Sequence, residues 1–258
     1  MKDNIPCEET CEDLGRGGFR LIQDPDGFCF GEDTVLLSWF TSSNLRISKS
    51  RPLRLLELGT NCGAASILLA ARRKDLRIDG VERQEQAAAL YKKNILLNHL
   101  EDRMRGFQLD LRELPTEDLP KNFYDAVFMN PPYQKAEAGP VTSTVRHTEK
   151  LLEARFAIHG SVEDFISCAA SMLTSTGDLF LVNRAQTLTG VMKACLDHNL
   201  IPKKITFVHP YEESEATLYL LQARKGGKLP GTVITPPLII RDANREYTPA
   251  LRKIYFED

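Results

Sequence analysis

Residues 130–133 form a short run that is suited to hold a planar amino group, and we call this run the hook. Apolar residues 126–129 are followed directly by Asn130, Pro131, Pro132 and Tyr133. Pro131 drives Asn130 into an extended conformation, and both prolines have a fixed φ angle and no N–H to donate. The run therefore presents two hydrogen-bond acceptors, the side-chain oxygen of Asn130 and the carbonyl of Pro131, next to the flat ring of Tyr133.

These groups suit methyl transfer to the exocyclic amino group of adenine, whose nitrogen is a poor nucleophile because its lone pair is delocalised into the ring. Two acceptors for its N–H bonds favour a tetrahedral nitrogen and stabilise the developing positive charge. An aromatic ring holds the base in line by stacking. No acidic catalytic residue is required, because the proton leaves after the methyl group has moved. The alternative interpretation is a proline turn that only ends a strand.

A glycine-containing turn after another apolar run predicts a cofactor loop. Glu57 lies near the end of the run at 53–58, Gly59 permits a tight turn, and Gly63 lets the following helix approach closely. The first N–H groups of that helix face the ligand. A dinucleotide site has glycine at the position of Asn61, so this turn favours a ligand without phosphates, such as S-adenosylmethionine. Asparagine is also among the few residues that tolerate left-handed backbone geometry.

Two further acidic residues lie at the ends of predicted strands. Glu82 ends the second strand and Asp110 ends the third. Ligands of an open parallel sheet bind beyond the carboxyl ends of its strands. A carboxylate at Glu82 suits the two hydroxyls of a ribose, and one at Asp110 suits the amino group of an adenine ring. Arg83 and Leu111, which directly follow these two acids, are assigned to the same cofactor site.

The elements that must position these residues alternate between strands and helices. From residue 53, apolar runs alternate with helical segments of 11–17 residues, which indicates a mostly parallel sheet covered on both faces. We predict an α/β, Rossmann-like fold with a seven-stranded sheet and an antiparallel final strand. The predicted strands are 53–58, 77–82, 104–110, 123–130, 177–183, 202–210 and 215–225, and the predicted helices are 64–74, 84–100, 161–175 and 185–200.

The segments outside this pattern are expected to be extensions of the same domain. "FRLIQD" (19–24) and "GFCF" (27–30) are typical of a small hairpin, and "TVLLSWF" (34–40) is typical of a short helix. We therefore divide the chain into an N-terminal extension (1–50), a cofactor-binding core (51–225) and a C-terminal extension (226–258).

The composition indicates a soluble globular protein. The 258 residues are 42% hydrophobic and 26% charged, with a formal net charge of −2. Nine acidic and three basic residues lie within 1–33, so the remainder is mildly basic. That charge suits a phosphate backbone, although scattered surface charge explains it equally well.

The cysteines and the N-terminus indicate a cytoplasmic protein. None of the six cysteines has the spacing of a zinc site, so we expect reduced thiols and no metal. The acidic N-terminal segment lacks the apolar core of a signal peptide, and no apolar run approaches the roughly 20 residues of a membrane span. We therefore expect a cytoplasmic protein without a membrane partner.

Together, these motifs resemble the class I S-adenosylmethionine-dependent methyltransferases of the N6-adenine type. More closely, the chain is similar to the bacterial family that methylates adenine 37 of a valine tRNA, next to the anticodon. The resemblance covers most of the chain. It rests on "GFCFGEDTVLLSWF" (27–40), "LLELGTNCGAASILLA" (55–70), "FMNPPYQK" (128–135) and the segments 145–182 and 205–240.

The resemblance implies S-adenosylmethionine as the cofactor, an RNA substrate (a tRNA), and a role for each matched position. The residues that would hold the cofactor are Gly31, Asp33 and Thr34 near its methionine part, Glu57, Gly59, Asn61 and Gly63 in the loop, Glu82 and Arg83 at the ribose, Asp110 and Leu111 at the adenine, and Asn130. The residues that would hold and activate the target base are Asn130, Pro131, Pro132 and Tyr133.

Two groups of basic residues are candidates for RNA contacts. Arg146 and His147 follow the hook in a loop-like stretch, and they would touch either RNA phosphate or only solvent. The second group is near the closing strands and has the same two interpretations: Lys203, Lys204, Arg224, Lys225 and Lys228.

Four other activities remain as alternatives to tRNA methylation. Enzymes that methylate a glutamine amide of release factors also use Asn-Pro-Pro-Tyr, but they typically have a large helical N-terminal domain, and about 50 residues precede the first core strand here. The remaining alternatives are an rRNA base-amino methyltransferase, a DNA N6-adenine methyltransferase, and a non-catalytic cofactor-binding or RNA-binding module. The sequence leaves the oligomeric state open.

Overall fold

The structure is a computed structural model that describes residues 10–24, 30–48, 50–131 and 160–256. The strands in these ranges are β1 (Thr10–Asp13), β2 (Arg20–Gln23), β3 (Leu53–Leu58), β4 (Leu76–Glu82), β5 (Met104–Gln108), β6 (Tyr124–Met129), β7 (Leu173–Arg184), β8 (Leu200–His209), β9 (Leu218–Lys225), β10 (Val233–Ile234) and β11 (Leu238–Ile239). The helices are α1 (Glu32–Asn44), α2 (Ala64–Arg72), α3 (Glu85–Leu97), α4 (Val162–Met172), α5 (Leu188–Asp197) and α6 (Pro249–Phe256).

The central sheet is mostly parallel. Its order is β10-β8-β9-β7-β6-β3-β4-β5, and β11 also pairs with β8. Strands β3 to β7 pair in parallel, whereas β9 lies antiparallel to both β7 and β8. The predicted Rossmann-like fold with an antiparallel final core strand is confirmed. The short strands β10 and β11 extend the predicted seven-stranded sheet at its β8 edge.

Helices cover both faces of the sheet, as the alternating pattern predicts. Side chains of α1, α2, α3 and α6 pack on one face in a cluster that includes Leu55 and Phe128. Side chains of α4 and α5 pack on the other face in a cluster that includes Leu56 and Val127. Neighbouring strand residues thus belong to different clusters, because successive side chains of a strand point to opposite faces.

The predicted capping residue of α4 is confirmed. The Ser161 hydroxyl accepts from the backbone N–H of Asp164 at 3.2 Å, and the Asp164 carboxylate accepts from the backbone N–H of Ser161 at 2.7 Å. This reciprocal pair satisfies two N–H groups that a helix start otherwise leaves unpaired. Helix α4 therefore begins at a fixed point, one turn before Phe165, whose Cε1 atom would lie 3.2 Å from a Cβ atom at Gly59.

The N-terminal hairpin forms with a strand that the sequence analysis did not predict. Strand β2 forms where "FRLIQD" predicts it, but it pairs antiparallel with β1, which precedes it in the chain. Residues 25–29, which contain most of the expected partner strand, lie outside the described residues. The hairpin closes through Gly15, Gly17 and Gly18, which have φ angles of 62°, 62° and 71°. Such positive angles are easy for glycine, so "GRGG" is the turn signal that the sequence reading missed.

Helix α1 is longer than the predicted short helix and spans 13 residues. Among the helices in the described ranges, none combines the length and the apolar character that a membrane crossing needs.

Candidate functional site

The site residues lie together because four parallel strands end at the same edge of the sheet. Leu58 of β3 is paired with Val81 of β4 and with Met129 of β6, and Glu82 of β4 is paired with Gln108 of β5. The turns that follow these strands therefore share one edge, which confirms the geometric expectation from the sequence. This edge brings together the cofactor loop at 59–63, Glu82, Asp110 and Asn130.

Every second residue of the cofactor loop at 59–63 has a positive φ angle. Gly59, Asn61 and Gly63 have φ angles of 72°, 49° and 86°. Asn61 thus adopts the left-handed geometry that asparagine tolerates. Its side-chain oxygen accepts from the backbone N–H of Cys62 at 2.6 Å, which holds the turn in place. The loop delivers the start of α2, whose N-cap is Gly63, to the edge of the sheet.

The ring of Tyr91 explains the need for glycine at 63. A Cβ atom at Gly63 would lie 2.0 Å from Cδ2 of Tyr91. A Cβ atom at Gly80 would lie 2.4 Å from Cε1 of the same ring, and one at Gly106 would lie 2.9 Å from Cδ1. The ring is fully buried between α2, α3 and the strands. Three glycines therefore make room for one aromatic side chain directly beneath the loop.

Glu82 ties the loop to the next strand. One oxygen of its buried carboxylate accepts from the backbone N–H of Asn61 at 2.9 Å, and the other accepts from the backbone N–H of Gln84 at 2.8 Å. Each carboxylate oxygen can accept two hydrogen bonds. Since each oxygen of Glu82 accepts one from the backbone, each can accept one more. A pair of ribose hydroxyls can use that capacity, which is the chemistry expected of this residue.

Asp110 is held by its own turn. Its carboxylate accepts from the Arg112 guanidinium at 2.9 Å and 2.5 Å and from the Arg112 backbone N–H at 3.0 Å. These hydrogen bonds lower the pKa of the Asp110 carboxyl, so it is a charged acceptor at neutral pH. Arg112 is a partner that the sequence reading did not consider. Leu111 is buried in the core beneath this turn, and Arg83 lies close enough to contribute to the lowered pKa of Asp110.

Glu57 lies under the cofactor loop rather than on its surface. Only 3% of the residue is exposed, and the Ser66 hydroxyl of α2 donates to its carboxyl group. Burial raises the pKa of Glu57 to about 8, and the nearby Glu82 carboxylate adds to that rise. Glu57 therefore carries its proton at neutral pH and supports the loop from below.

Asn130 of the hook contacts the start of α1. Its side-chain Nδ2 donates to Oδ2 of Asp33 at 3.0 Å. The other Asp33 oxygen accepts from the backbone N–H of Thr34 at 2.8 Å. Gly31 is the N-cap of α1, and Thr34 is buried in its first turn. Pro131 is also buried beside Asn130. The structure therefore brings two residues that the sequence assigns to the site, Asp33 and Asn130, into direct contact.

Four predicted site residues cannot be placed: Pro132, Tyr133, Arg146 and His147 lie outside the described residues.

Asn94 is a site-supporting residue that sequence reasoning missed. It is fully buried in α3, and its Nδ2 donates to the Cys62 carbonyl at 2.9 Å and to the Ile22 carbonyl at 2.8 Å. Its Oδ1 accepts from the Ile22 backbone N–H at 2.7 Å. One turn later, Asn98 makes the same pair of bonds to Arg20, both at 2.8 Å. The two amides replace a missing strand partner of β2 and join the hairpin, α3 and the loop. The available signal was the pair of amides at i and i+4.

The basic residues near the closing strands lie at the opposite end of the sheet. Asp178 of β7 is paired with Ala126 near the start of β6 and with Arg224 near the end of β9, so this end is formed by the amino ends of the parallel strands. Arg224 donates to the buried Asp178 at 2.8 Å, and Lys225 donates to Asn122 at 2.9 Å. Lys203 donates to the Lys228 carbonyl, and Lys204 donates to Asn44. These contacts favour the interpretation without RNA, and RNA binding by these residues stays a prediction.

Comparison with known proteins identifies methyltransferases. A tRNA1(Val) (adenine(37)-N6)-methyltransferase of Flavobacterium psychrophilum is 27% identical over 209 residues, which cover 80% of this chain and 84% of that protein. A release factor glutamine methyltransferase of the same organism is 31% identical over 102 residues, which cover 40% of this chain and 34% of that protein. The similarity to the tRNA enzyme therefore extends over about twice as much of the chain.

The fold and the sequence family agree with this result. The crystal structure of a predicted O-methyltransferase from Agrobacterium tumefaciens is 24% identical and superimposes with a TM-score of 0.66, covering 86% of this chain and 95% of that one. At that identity the likeness concerns the fold alone, and it is the fold of methyltransferases. Residues 35–204, from α1 into β8, match the methyltransferase small domain family. By that match over most of its length, the chain belongs to the methyltransferase small domain family.

Proposed function

We propose that this protein transfers a methyl group from S-adenosylmethionine to the exocyclic N6 of an adenine in tRNA. The observation that carries the proposal is the hydrogen bond from Asn130 Nδ2 to Asp33 at 3.0 Å. That bond leaves the Asn130 side-chain oxygen as an acceptor for an amino group, at the sheet edge where Glu82 and Asp110 also lie. The relative named as a tRNA1(Val) (adenine(37)-N6)-methyltransferase, which matches 80% of the chain, supports the choice of substrate.

The residues at this edge fit S-adenosylmethionine. We assign the ribose hydroxyls to Glu82 and the adenine amino group to Asp110, because both carboxylates combine charge with acceptor capacity. The loop at 59–63 leads into the N-terminus of α2, an end of a helix that favours electron-rich groups. The other residues assigned to the cofactor site are Gly31, Thr34, Arg83 and Leu111, with Glu57 supporting the loop from below.

The chemistry follows from the placement of two acceptors. S-adenosylmethionine, when bound, supplies an electrophilic methyl group on a positively charged sulfur. The sulfur is the leaving group and keeps the electron pair of the broken bond. Asn130 Oδ1 and the Pro131 carbonyl would each accept a hydrogen bond from one N–H group of N6. The nitrogen lone pair would then be free to attack the methyl carbon, and the positive charge that develops on the nitrogen would be stabilised. After transfer, N6 loses one proton to water.

The substrate side of the proposal rests on residues beyond the described ranges. We assign the stacking of the target base to Tyr133, with Pro132 fixing the angle of the hook. Arg146 and His147 are assigned to RNA phosphate near the target base. A base in a tRNA loop is unstacked at low cost, which suits an enzyme that must reach an exocyclic nitrogen.

Glutamine methylation of a release factor is a second candidate. The observation that favours it is the 31% identity to a release factor glutamine methyltransferase over 102 residues. A glutamine side-chain amide is planar and has two N–H bonds, so the same two acceptors would hold it. The two candidates differ in the substrate that accepts the methyl group.

The test is methyl transfer from labelled S-adenosylmethionine to total unmodified tRNA and, in parallel, to a release factor. Wild type is compared with Asn130→Ala and with Asn244→Ala, an exposed asparagine in the C-terminal segment, as the matched control. We expect N6-methyladenosine in tRNA from wild type and control, and a rate lower by about 100-fold or more in Asn130→Ala. Label in the release factor alone would replace the first candidate by the second.

A further inference from the structure

The orientation of the Asn130 amide is decided by its partner. An asparagine side chain carries two N–H donors on one side and a carbonyl oxygen on the other, and it can face either way. Here the amide end nearest α1 is 3.0 Å from Oδ2 of Asp33. An ionised carboxylate only accepts hydrogen bonds, so the NH2 group must be the end that faces Asp33. The carbonyl oxygen is then the end left for a substrate.

Asp33 is itself fixed in place. Its Oδ1 accepts from the backbone N–H of Thr34 at 2.8 Å. It lies in the first turn of α1, where the helix dipole stabilises a negative charge. Leu36 and Leu37 of the same helix are fully buried in the core and anchor the helix start. The carboxylate is therefore held in one orientation by the backbone of its own helix.

We propose that Asp33 is a positioning residue that locks the Asn130 amide with its oxygen towards the methyl-accepting amino group. The proposal rests on the function proposed above, and it assigns Asp33 a different role from the contact with the methionine part of the cofactor that the family resemblance implies. With the amide reversed, its NH2 group would oppose the N–H bonds of the substrate. One acceptor would then be lost, and the charge that develops on nitrogen would face a donor.

Four variants separate this role from a general structural one. In Asp33→Asn, residue 33 can donate or accept, so it no longer dictates the orientation of Asn130. In Asn130→Asp, two carboxyl groups lie about 3 Å apart. Their repulsion is relieved only when one of them binds a proton. The double variant Asp33→Asn/Asn130→Asp restores a donor facing an acceptor. Glu32→Gln changes the neighbouring carboxyl in the same turn, which bonds to Arg241 and Tyr247, and is the matched control.

The expected kinetic result is a change in kcat rather than in KM. Asp33→Asn should lower kcat by about 10- to 100-fold, the equivalent of one hydrogen bond to a charged group, with both KM values within about threefold of wild type. Asn130→Asp should be slow, with its optimum moved to lower pH. The double variant should be faster than Asn130→Asp, and Glu32→Gln should match wild type. A normal kcat in Asp33→Asn with a raised KM for S-adenosylmethionine alone would overturn the proposal.

A second readout does not depend on the substrate. In 15N-labelled enzyme without substrate, the Asn130 side-chain NH2 signal is assigned by its loss in Asn130→Asp. We expect this signal to shift in Asp33→Asn, which changes the group that faces the NH2, and to stay unchanged in Glu32→Gln. An Asn130 signal that is the same in wild type and Asp33→Asn would refute the positioning role even if tRNA is not the substrate. Inactivity of wild type on tRNA, with the expected NMR response, would refute the proposed function alone.

Discussion

At the scale of single residues, the site depends on groups whose state is set by burial. Glu57 is enclosed beneath the loop, and burial raises its pKa from the ordinary value of 4.5 to about 8. The sequence shows an acid near the end of a strand, but it does not show whether that acid faces solvent or the core. Ser66, nine positions later in α2, becomes its partner only after the loop has folded back.

Glu57→Gln is expected to change how stability depends on pH. The unfolded chain loses the Glu57 proton near pH 4.5, whereas the folded chain keeps it until about pH 8. Wild type should therefore lose stability relative to the Gln variant as pH rises through this window, by at most ~1.4 kcal/mol per pH unit, with no further change above it. Urea unfolding of both proteins from pH 5 to pH 9 measures the difference. A constant difference would show that Glu57 is not protonated in the folded state.

Gly63→Ala is expected to destabilise the protein strongly. The added Cβ would lie 2.0 Å from the buried Tyr91 ring at a position with a φ of 86°. Overpacking and left-handed strain together should lower the free energy of unfolding by about 2–5 kcal/mol and abolish cofactor binding. The control is Gly190→Ala in α5, where nothing lies within 4 Å of the added atom. There, alanine should stabilise the helix by about 0.5–1 kcal/mol. Thermal unfolding and cofactor titration test both expectations.

Residue types predicted the local geometry of the loop, and long-range contacts decided the rest. The positive φ of Asn61 follows from what asparagine tolerates. The contact between Asp33 and Asn130 joins residues 97 positions apart, and nothing in either local segment announces it. The guanidinium of Arg112 on Asp110 lies only two positions away, but the turn that allows it is visible only in the folded chain.

At the scale of elements, periodicity was sufficient for the core and insufficient for the N-terminal hairpin. The alternation of apolar runs and amphipathic segments located every strand from β3 to β9, because all of them except β5 are largely buried. Strand β2 was found, but not its partner, since a hairpin on either side of it has similar local signals. Its position is decided instead by Asn94 and Asn98, whose amides bond to the backbone of Ile22 and Arg20.

Asn94→Ala is expected to loosen the hairpin and the cofactor loop together. The change leaves the N–H and carbonyl of Ile22 and the carbonyl of Cys62 without their partner in a buried position. Loss of these bonds should cost about 2–4 kcal/mol of stability. Hydrogen exchange should quicken at Ile22, and the affinity for S-adenosylmethionine should fall. Lys92→Ala, an exposed change in the same helix, is the control. Exchange at Ile22 that equals the control would show that the hydrogen bonds of Asn94 do not hold the hairpin.

At the scale of the whole molecule, the candidate site and the structural ion pair of Asp178 lie at opposite ends of the sheet. The carboxyl ends of the strands hold the loop, the acids and the hook, and the amino ends hold the ion pair of Asp178 with Arg224. The parallel topology follows from the sequence, and with it the edge at which a site must form. The ends at which the basic residues lie follow only when the predicted antiparallel direction of β9 is applied to them, because that direction carries the final residues of β9 to the far end.

RNA binding should therefore depend on charges at the carboxyl edge alone. Arg184 ends β7, next to the strand that carries the hook. Arg184→Ala should weaken tRNA binding by at least about threefold. It should also reduce the slope of log K against log salt concentration by about 1, the value for one lost phosphate contact. Lys203→Ala/Lys228→Ala, at the amino edge, should leave the affinity within about twofold of wild type. Filter binding at several salt concentrations measures both. Equal losses at both edges would place RNA on a different surface.

The packing of Tyr91 has a consequence for the history of the sequence. One ring occupies the space of three side chains, at Gly63, Gly80 and Gly106. A mutation at any of these glycines is harmful while the tyrosine remains, and a smaller residue at 91 leaves a void that a single alanine cannot fill. The four positions are therefore tied in their order of change. A lineage that abandons this arrangement must first replace the ring, and even then Gly63 keeps its φ of 86° and a Cβ atom at Gly80 still lies 2.5 Å from Cγ2 of Thr60.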